Sequence, residues 1–113
     1  MEFTEDDAKS LAEVVRLAAK QEILPRFRQL PPEAISIKTS ETDLVTEADQ
    51  QGEILITREV KRRFPQATVI GEEAVAENPD LLNQIADAEF GVIVDPIDGT
   101  WNYANGLPMF GVM

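Results

Sequence analysis

Apolar and polar positions recur along the first thirty residues with the spacing of a helix. A long amphipathic helix is expected from Thr4 to about Leu30. Thr4 or Asp6 can cap its start, and Pro25 is expected to kink or end it near Leu24. Its apolar stripe, which we expect to face the core, consists of Ala8, Leu11, Ala12, Val15, Ala18, Ala19, Ile23 and Phe27.

A second helix is predicted after Thr46, running to about Phe64. Thr46 and Asp49 have the spacing of a capping box, with Asp in place of the usual Glu or Gln. The basic cluster at residues 61–63 complements the negative end of this helix, and Pro65 stops it. Its apolar stripe consists of Ala48, Gly52, Leu55, Ile56, Val60 and Phe64.

Shorter apolar runs predict strands. One lies within residues 33–42 before a polar loop, and others lie at 44–45, 68–71 and 92–94, the last of them buried. A loop is expected after Glu73, and a short helix capped by Asn78 is expected to extend to about Ala86.

The last segment predicts a turn, a hairpin and a new strand. Trp101 and Tyr103 are expected to pack around the turn at residues 95–100. The pair at residues 105–106, Asn-Gly, is a strong hairpin signal, and residues 107–113 are expected to begin a strand. Because the chain stops within that apolar run, we expect it to be the N-terminal part of a longer protein.

Composition narrows the chemistry that is available. The 113 residues are enough for one domain, and they include no cysteine and no histidine. Thiolate nucleophiles, disulfides and imidazole bases are therefore excluded. No apolar run is long enough to span a bilayer and no signal peptide is evident, so a soluble cytoplasmic protein is expected. The net charge of −11 argues against nucleic-acid binding, and it would repel a phosphorylated substrate unless bound cations neutralised the site.

Two apolar strands end in acidic residues, and these stretches carry the candidate chemistry. Val92–Val94 runs into Asp95, Pro96, Ile97, Asp98, Gly99 and Thr100. A similar strand at 68–71 runs into Glu72 and Glu73. Asp-Pro and Asp-Gly are also common in plain surface turns, and Asp49 can be explained as a helix-capping acid. Carboxylate and carbonyl oxygens at strand ends are nonetheless the donors that Mg²⁺ prefers.

Three motifs, taken together in their order along the chain, resemble those of the inositol monophosphatase family of Mg²⁺-dependent, lithium-sensitive phosphatases. They lie at residues 43–49, 71–73 and 95–103, and the hexapeptide Asp-Pro-Ile-Asp-Gly-Thr is the most specific of them. The resemblance implies an α/β fold, an α+β layered sandwich that is usually dimeric. Residues 1–113 would be the N-terminal, metal-binding portion of this domain, with its C-terminal half absent.

The resemblance also implies roles for individual residues. Glu72, Asp95, the carbonyl of Ile97 and Asp98 would hold two or three Mg²⁺ ions. Asp49 and Thr100 would orient and activate the attacking water, and the backbone N–H groups of Gly99 and Thr100 would lie against the substrate phosphate. Glu73 and Lys38 are weaker candidates near the metals or on a loop over the site.

The family's C-terminal Trp-Asp motif, which completes the metal site, has no match in these residues. We therefore expect the 113 residues alone to be inactive or weak and a longer parent protein to be active. The substrate stays open among inositol 1-phosphate, sugar bisphosphates such as fructose 1,6-bisphosphate, histidinol phosphate and nucleotide bisphosphates.

Two alternatives are less compatible with the sequence, and a third stays open. A haloacid dehalogenase-type phosphatase has one residue between its two aspartates, whereas Pro96 and Ile97 separate Asp95 from Asp98. A calcium-binding EF-hand needs a Glu at its twelfth position, and the twelfth residue from Asp95 is Gly106. A catalytically incomplete fragment that only packs or dimerises stays possible for the chain in isolation.

Overall fold

The computed structural model describes residues 2–38 and 44–113, and within these ranges it combines helices with two small sheets. The helices are α1 (Glu5–Ala18), α2 (Glu47–Arg63), α3 (Glu72–Glu77), α4 (Asn83–Ala86) and α5 (Thr100–Ala104). The strands are β1 (Ile35–Ile37), β2 (Leu44–Thr46), β3 (Thr68–Gly71) and β4 (Gly91–Val94). This arrangement confirms the expected α/β class. Residues 39–42 of the predicted polar loop and Asp43, which begins the first motif, lie outside the described residues.

The two sheets differ in strand direction. β1 and β2 pair antiparallel, with Ser36 opposite Val45. β3 and β4 pair in parallel, with Thr68 opposite Gly91, and the chain between them passes through α3 and α4. Because parallel strands end at the same edge of a sheet, the residues that follow β3 and β4 become neighbours.

Helix α2 forms as the sequence predicts. Thr46 and Asp49 make both bonds of the capping box, and the basic residues 61–63 occupy the last turn. All six residues of the predicted stripe are buried. Two clusters make up the core. The first contains Val14, Ala18, Leu55, Ile56, Val60, Phe64 and Val94, and the second contains Ile23, Ala48, Ile97 and Tyr103.

The first helix is shorter than predicted, and it buries a different face. After Ala18 the chain forms a π-helical turn, Ala19–Ile23, and then a 3₁₀ turn, Leu24–Arg26. Regular bonding ends here because Pro25 cannot donate a backbone hydrogen bond. Val14 is fully buried, whereas the predicted core residue Ala12 is exposed, because packing against α2 selects a different face of the helix.

Several predictions for the middle of the chain are wrong. Helix α3 continues to Glu77, whereas a loop was expected after Glu73. Asn78 makes no side-chain cap, and the chain forms a 3₁₀ turn, Pro79–Leu82, before α4. β4 is only partly buried: the Ile93 side chain is 69% exposed, because this strand pairs with β3 on one edge and its residues point to alternate faces.

The expected hairpin and final strand are also absent from the described residues. Residues 105–106 end α5, and Gly106 has a φ of +75°, the conformation that commonly follows a helix C-terminus. Within residues 107–113, Gly111 exchanges backbone hydrogen bonds with Asp98, and Met113 does so with Asp95, but no strand forms. In the part of the chain that the structure describes, no helix has the length and apolar character needed to cross a membrane.

The two aromatic residues of α5 behave differently. Tyr103 is buried, and its hydroxyl donates a hydrogen bond of 2.6 Å to the carbonyl oxygen of Ile23. Trp101 is 42% exposed, so its expected packing around the turn is only partial. Tyr103 therefore ties the short helix after the acidic turn to the end of the N-terminal helix.

Candidate active site

The parallel pairing of β3 and β4 brings two acidic residues together. Gly71 lies opposite Val94 at the end of the sheet, and the next residues are Glu72 and Asp95. Their carboxyl groups lie close enough for Glu72 to raise the pKa of Asp95. The two strand ends that the sequence marked with acids therefore form one edge of the sheet.

The pKa of Asp95, at this edge, lies far above its ordinary value. Burial, followed by the neighbouring carboxyl group of Glu72, raises the pKa of Asp95 to about 7, and the charges of Asp98 and Asp49 add to the effect. Its Oδ1 atom is the one buried side-chain nitrogen or oxygen in residues 2–38 and 44–113 that lacks a hydrogen-bond partner. A buried, unpartnered oxygen among like charges is the environment that a bound cation would relieve.

Lys38 reaches the same acids from the end of β1. Its Nζ lies 3.3 Å from Oε1 of Glu72 and 3.2 Å from Oε2 of Glu73. Burial raises the pKa of Glu73 to about 7, although the bond from Lys38 opposes this shift. For Lys38, burial is the largest single effect and lowers the pKa. The carboxyl groups of Glu73 and Glu72 together have a larger effect in the opposite direction, so the pKa of Lys38 is raised. Both weaker candidates from the sequence therefore lie at the site.

Asp49 links a helix cap to the acidic turn. Its Oδ2 accepts hydrogen bonds from the backbone N–H and the hydroxyl of Thr46, both at 2.7 Å. Its Oδ1 accepts from the hydroxyl of Thr100 at 2.9 Å. Burial raises the pKa of Asp49, while the hydrogen bonds from Thr46 and Thr100 act in the opposite direction. The Asp49 side chain can thus cap α2 and have the predicted functional role at the same time.

The turn from residue 95 to residue 100 presents further oxygens. The Ile97 side chain is buried, and its carbonyl oxygen lies 3.0 Å from the Thr100 hydroxyl. Since that hydroxyl has one hydrogen, it donates either to Ile97 or to Asp49 at a given moment. Gly99 has a φ of +95°, and a Cβ at this position would lie 2.9 Å from the carbonyl oxygen of Met109. Only glycine fits this turn without strain.

The donors at this edge fit a hard divalent cation in kind. They are carboxylates and a carbonyl, and the Oδ1 of Asp95 is buried without a hydrogen-bond partner. Within the described ranges, however, no three acidic side chains already converge in a metal-holding cluster. The Asp98 side chain is exposed, and the Lys38 ammonium lies between Glu72 and Glu73. The ligand set of Glu72, Asp95, Ile97 and Asp98 therefore stays a prediction.

One residue near the site was missed from the sequence. Glu53, on α2, accepts hydrogen bonds from the backbone N–H groups of Glu73 and Ala74. Burial raises its pKa, and these two bonds oppose the shift. The available signal was its position four residues after Asp49, beside a stripe of apolar residues, where an acid is unexpected.

Comparison with known proteins gives concordant matches. Residues 5–113 match the model of the inositol monophosphatase family. Inositol monophosphatase 1 from Sus scrofa is 33% identical over 112 residues, which is 99% of this chain and 36% of that protein. A fructose-1,6-bisphosphatase/inositol-1-monophosphatase from Thermotoga maritima is 37% identical over 75 residues, covering 66% of this chain and 26% of that protein.

The fold is also that of a solved structure. The extragenic suppressor protein SuhB from Bartonella henselae superposes with a TM-score of 0.75 and 24% identity, covering 96% of this chain and 39% of that one. The chain thus spans a little over a third of the length of the pig relative and of this structure.

Proposed function

The chain belongs to the inositol monophosphatase family, and on that premise we propose that the protein is a Mg²⁺-dependent phosphatase acting on a small phosphate monoester, most simply inositol 1-phosphate. The observation that carries the proposal is that Glu72 and Asp95 lie next to each other at the end of the parallel sheet. The buried Oδ1 of Asp95 has no hydrogen-bond partner there. Residues 1–113 supply the N-terminal, metal-binding portion of the domain.

Glu72, Asp95, Asp98 and the carbonyl of Ile97 would hold the metal. Bound Mg²⁺ would neutralise the phosphate charge and lower the pKa of a coordinated water. This need is acute here because the chain carries a net charge of −11 and would otherwise repel a phosphorylated substrate. Lys38 contributes positive charge at the same edge.

Asp49 and Thr100 would act on the attacking water. With its hydrogen donated to Asp49, the Thr100 hydroxyl keeps lone pairs that can accept a hydrogen bond from water. A proton leaving that water can then pass through the hydroxyl to the carboxylate. Burial makes Asp49 a stronger base than an exposed carboxylate. The backbone N–H groups of Gly99 and Thr100 would contact the phosphate.

A second substrate class has support from the names of two relatives, from Thermotoga maritima and Aquifex aeolicus. The Thermotoga maritima protein is named for both fructose-1,6-bisphosphatase and inositol-1-monophosphatase activity. A sugar bisphosphate is therefore the alternative substrate. Lithium inhibition, a homodimeric assembly and a cytoplasmic location are further parts of the proposal.

The test is phosphate release from inositol 1-phosphate and fructose 1,6-bisphosphate, with saturating Mg²⁺ or with EDTA. We expect Mg²⁺-dependent release by the whole protein and little or none by residues 1–113 alone. Strong activity of the 113 residues would show that the site is complete within them. No release of either phosphate by the whole protein would overturn the proposed function.

A further inference from the structure

We propose that Glu53 is a positioning residue that caps α3 from the neighbouring helix α2 and thereby fixes the direction of Glu72 and Glu73. The inference rests on the proposed function in assigning those acids to the metal site. Its structural basis is separate, and lies in the contacts of Glu53 itself.

The carboxylate of Glu53 bridges two consecutive amides at the start of α3. Oε1 accepts from the N–H of Glu73 at 2.7 Å, and Oε2 accepts from the N–H of Ala74 at 2.9 Å. The cap position of α3 is Gly71, which has no side chain to offer. Glu53, 8% exposed and 20 residues away from Glu73, supplies what a local capping residue normally supplies.

The contact between Glu53 and the start of α3 also requires a glycine at position 71. Its φ of −101° is accessible to any residue, so backbone conformation does not explain a glycine here. A Cβ at Gly71 would overlap with the Cδ and Oε1 atoms of Glu53. The glycine of the Gly-Glu-Glu motif therefore makes room for the Glu53 carboxylate.

Holding these amides matters because α3 is only six residues long. A helix of this length has little stability of its own and takes its geometry from tertiary contacts. Glu53 lies four residues after Asp49 on α2, so both residues lie on the same side of that helix. The single helix α2 thus sets the position of Asp49 and, through Glu53, of the acids at the end of β3.

The test compares Glu53→Gln with Glu59→Gln in the whole protein. Gln keeps one accepting oxygen but turns an NH₂ group toward a backbone N–H. We expect Glu53→Gln to weaken Mg²⁺ binding, measured by calorimetry, by about tenfold or more, the size of effect typical of residues behind a metal ligand. Amide exchange at Glu73 and Ala74 should become faster. Glu59 pairs with Arg62 on the same helix and is the matched control.

A double-mutant cycle tests the link to Gly71. Gly71→Ala should lower the melting temperature of the otherwise unaltered protein and lower it much less in a Glu53→Ala background. Glu53→Asp, which keeps the charge but shortens the side chain, is the second variant should Glu53→Gln fail to fold.

Each result has a defined meaning. A folded Glu53 variant with unchanged Mg²⁺ affinity, or additive effects in the cycle, overturns the inference. Absence of Mg²⁺ binding and phosphate release in the unsubstituted protein overturns the proposed function instead. In that case amide exchange at Glu73 and Ala74 still decides whether Glu53 caps α3.

Discussion

The hydroxyl of Thr100 lies 2.9 Å from Oδ1 of Asp49, although the two residues are 51 positions apart in the sequence. Asp49 belongs to the first turn of α2 and Thr100 begins α5, so the contact joins two helix starts. Both residues are also held from other directions, by Thr46 and by the turn that ends at Gly99. The pair is therefore preorganised before any substrate arrives.

Thr100→Val should abolish most catalysis, because it preserves the shape of the side chain but removes the hydroxyl. We expect kcat of the whole protein to fall by about 10²–10⁴, the range for a lost proton-transfer group. Thr100→Ser retains the hydroxyl and should retain most of the activity. Steady-state kinetics at saturating Mg²⁺ measure both, and full activity of the Val variant would contradict the assigned role.

Asp98→Asn should remove the Mg²⁺ response while leaving the fold intact. The Asp98 side chain is exposed, and its backbone bonds to Gly111 do not depend on the carboxylate. We expect unchanged circular dichroism and loss of Mg²⁺-dependent phosphate release by the whole protein. Asp80→Asn, at another exposed aspartate, is the control and should behave like the unsubstituted protein.

The stability of the metal-free chain should fall as the pH rises from about 4 to about 7. The pKa of Asp95 is raised to about 7 in the folded chain from an ordinary value of 3.8. The folded state thus binds the proton more tightly than the unfolded state, and ionisation over this interval favours unfolding. Glu73, with its pKa also raised to about 7, acts in the same direction.

Asp95→Asn is the variant that isolates this effect. It should raise the melting temperature of the metal-free chain at pH 8 and flatten the pH dependence. Mg²⁺ should stabilise the unsubstituted chain more than the variant. Thermal melts at pH 4, 6 and 8, with and without Mg²⁺, are the measurement. A variant less stable than the unsubstituted chain at pH 8 would show that the Asp95 charge is not a cost to folding.

Tyr103→Phe should destabilise the chain by about 1–3 kcal/mol, because the buried carbonyl of Ile23 loses its donor. Chemical denaturation gives this free energy directly. Trp101→Phe, at an exposed position of the same helix, is the matched aromatic change and should have a much smaller effect. Equal effects would mean that the hydrogen bond contributes nothing beyond aromatic packing.

Gly99→Ala should cost about 1–3 kcal/mol through backbone strain at positive φ, with a further loss from the close approach to Met109. Gly111→Ala is the control, since a Cβ there meets no atom within 4 Å. Comparison of the two unfolding free energies decides whether the conformation of Gly99 is a requirement of the turn.

The sequence predicted those elements whose signals are local. The stripe, the capping box and the basic last turn of α2 lie within one stretch of chain, and the acids after β3 and β4 are visible where each strand ends. The parallel register that makes Glu72 and Asp95 neighbours is set by tertiary packing, and no local pattern encodes it. The same holds for Glu53, whose partners are 20 and 21 residues away.

The wrong predictions have a related cause. Residues 105–106 carry the dipeptide of a hairpin, but the same glycine conformation also ends a helix, and the helix at Thr100–Ala104 decides the outcome. In α1 the buried face is chosen by contact with α2. Ala12 and Val14 are both acceptable core residues in a periodicity argument, and only the packed structure separates them.

The π-helical turn at Ala19–Ile23 changes which side of the N-terminal helix is directed at the core. The N–H of Leu24 bonds to the carbonyl of Ala19, five residues back, so the helix carries one more residue than a regular turn would hold. Ala18 faces the first core cluster before this turn, and Ile23 faces the second after it. The number of residues in the π-helical turn, more than the chemistry of their side chains, determines which core cluster Ile23 contacts. Deleting one residue between them would rotate Ile23 by about 100°, whereas most point substitutions at exposed Lys20 should be neutral.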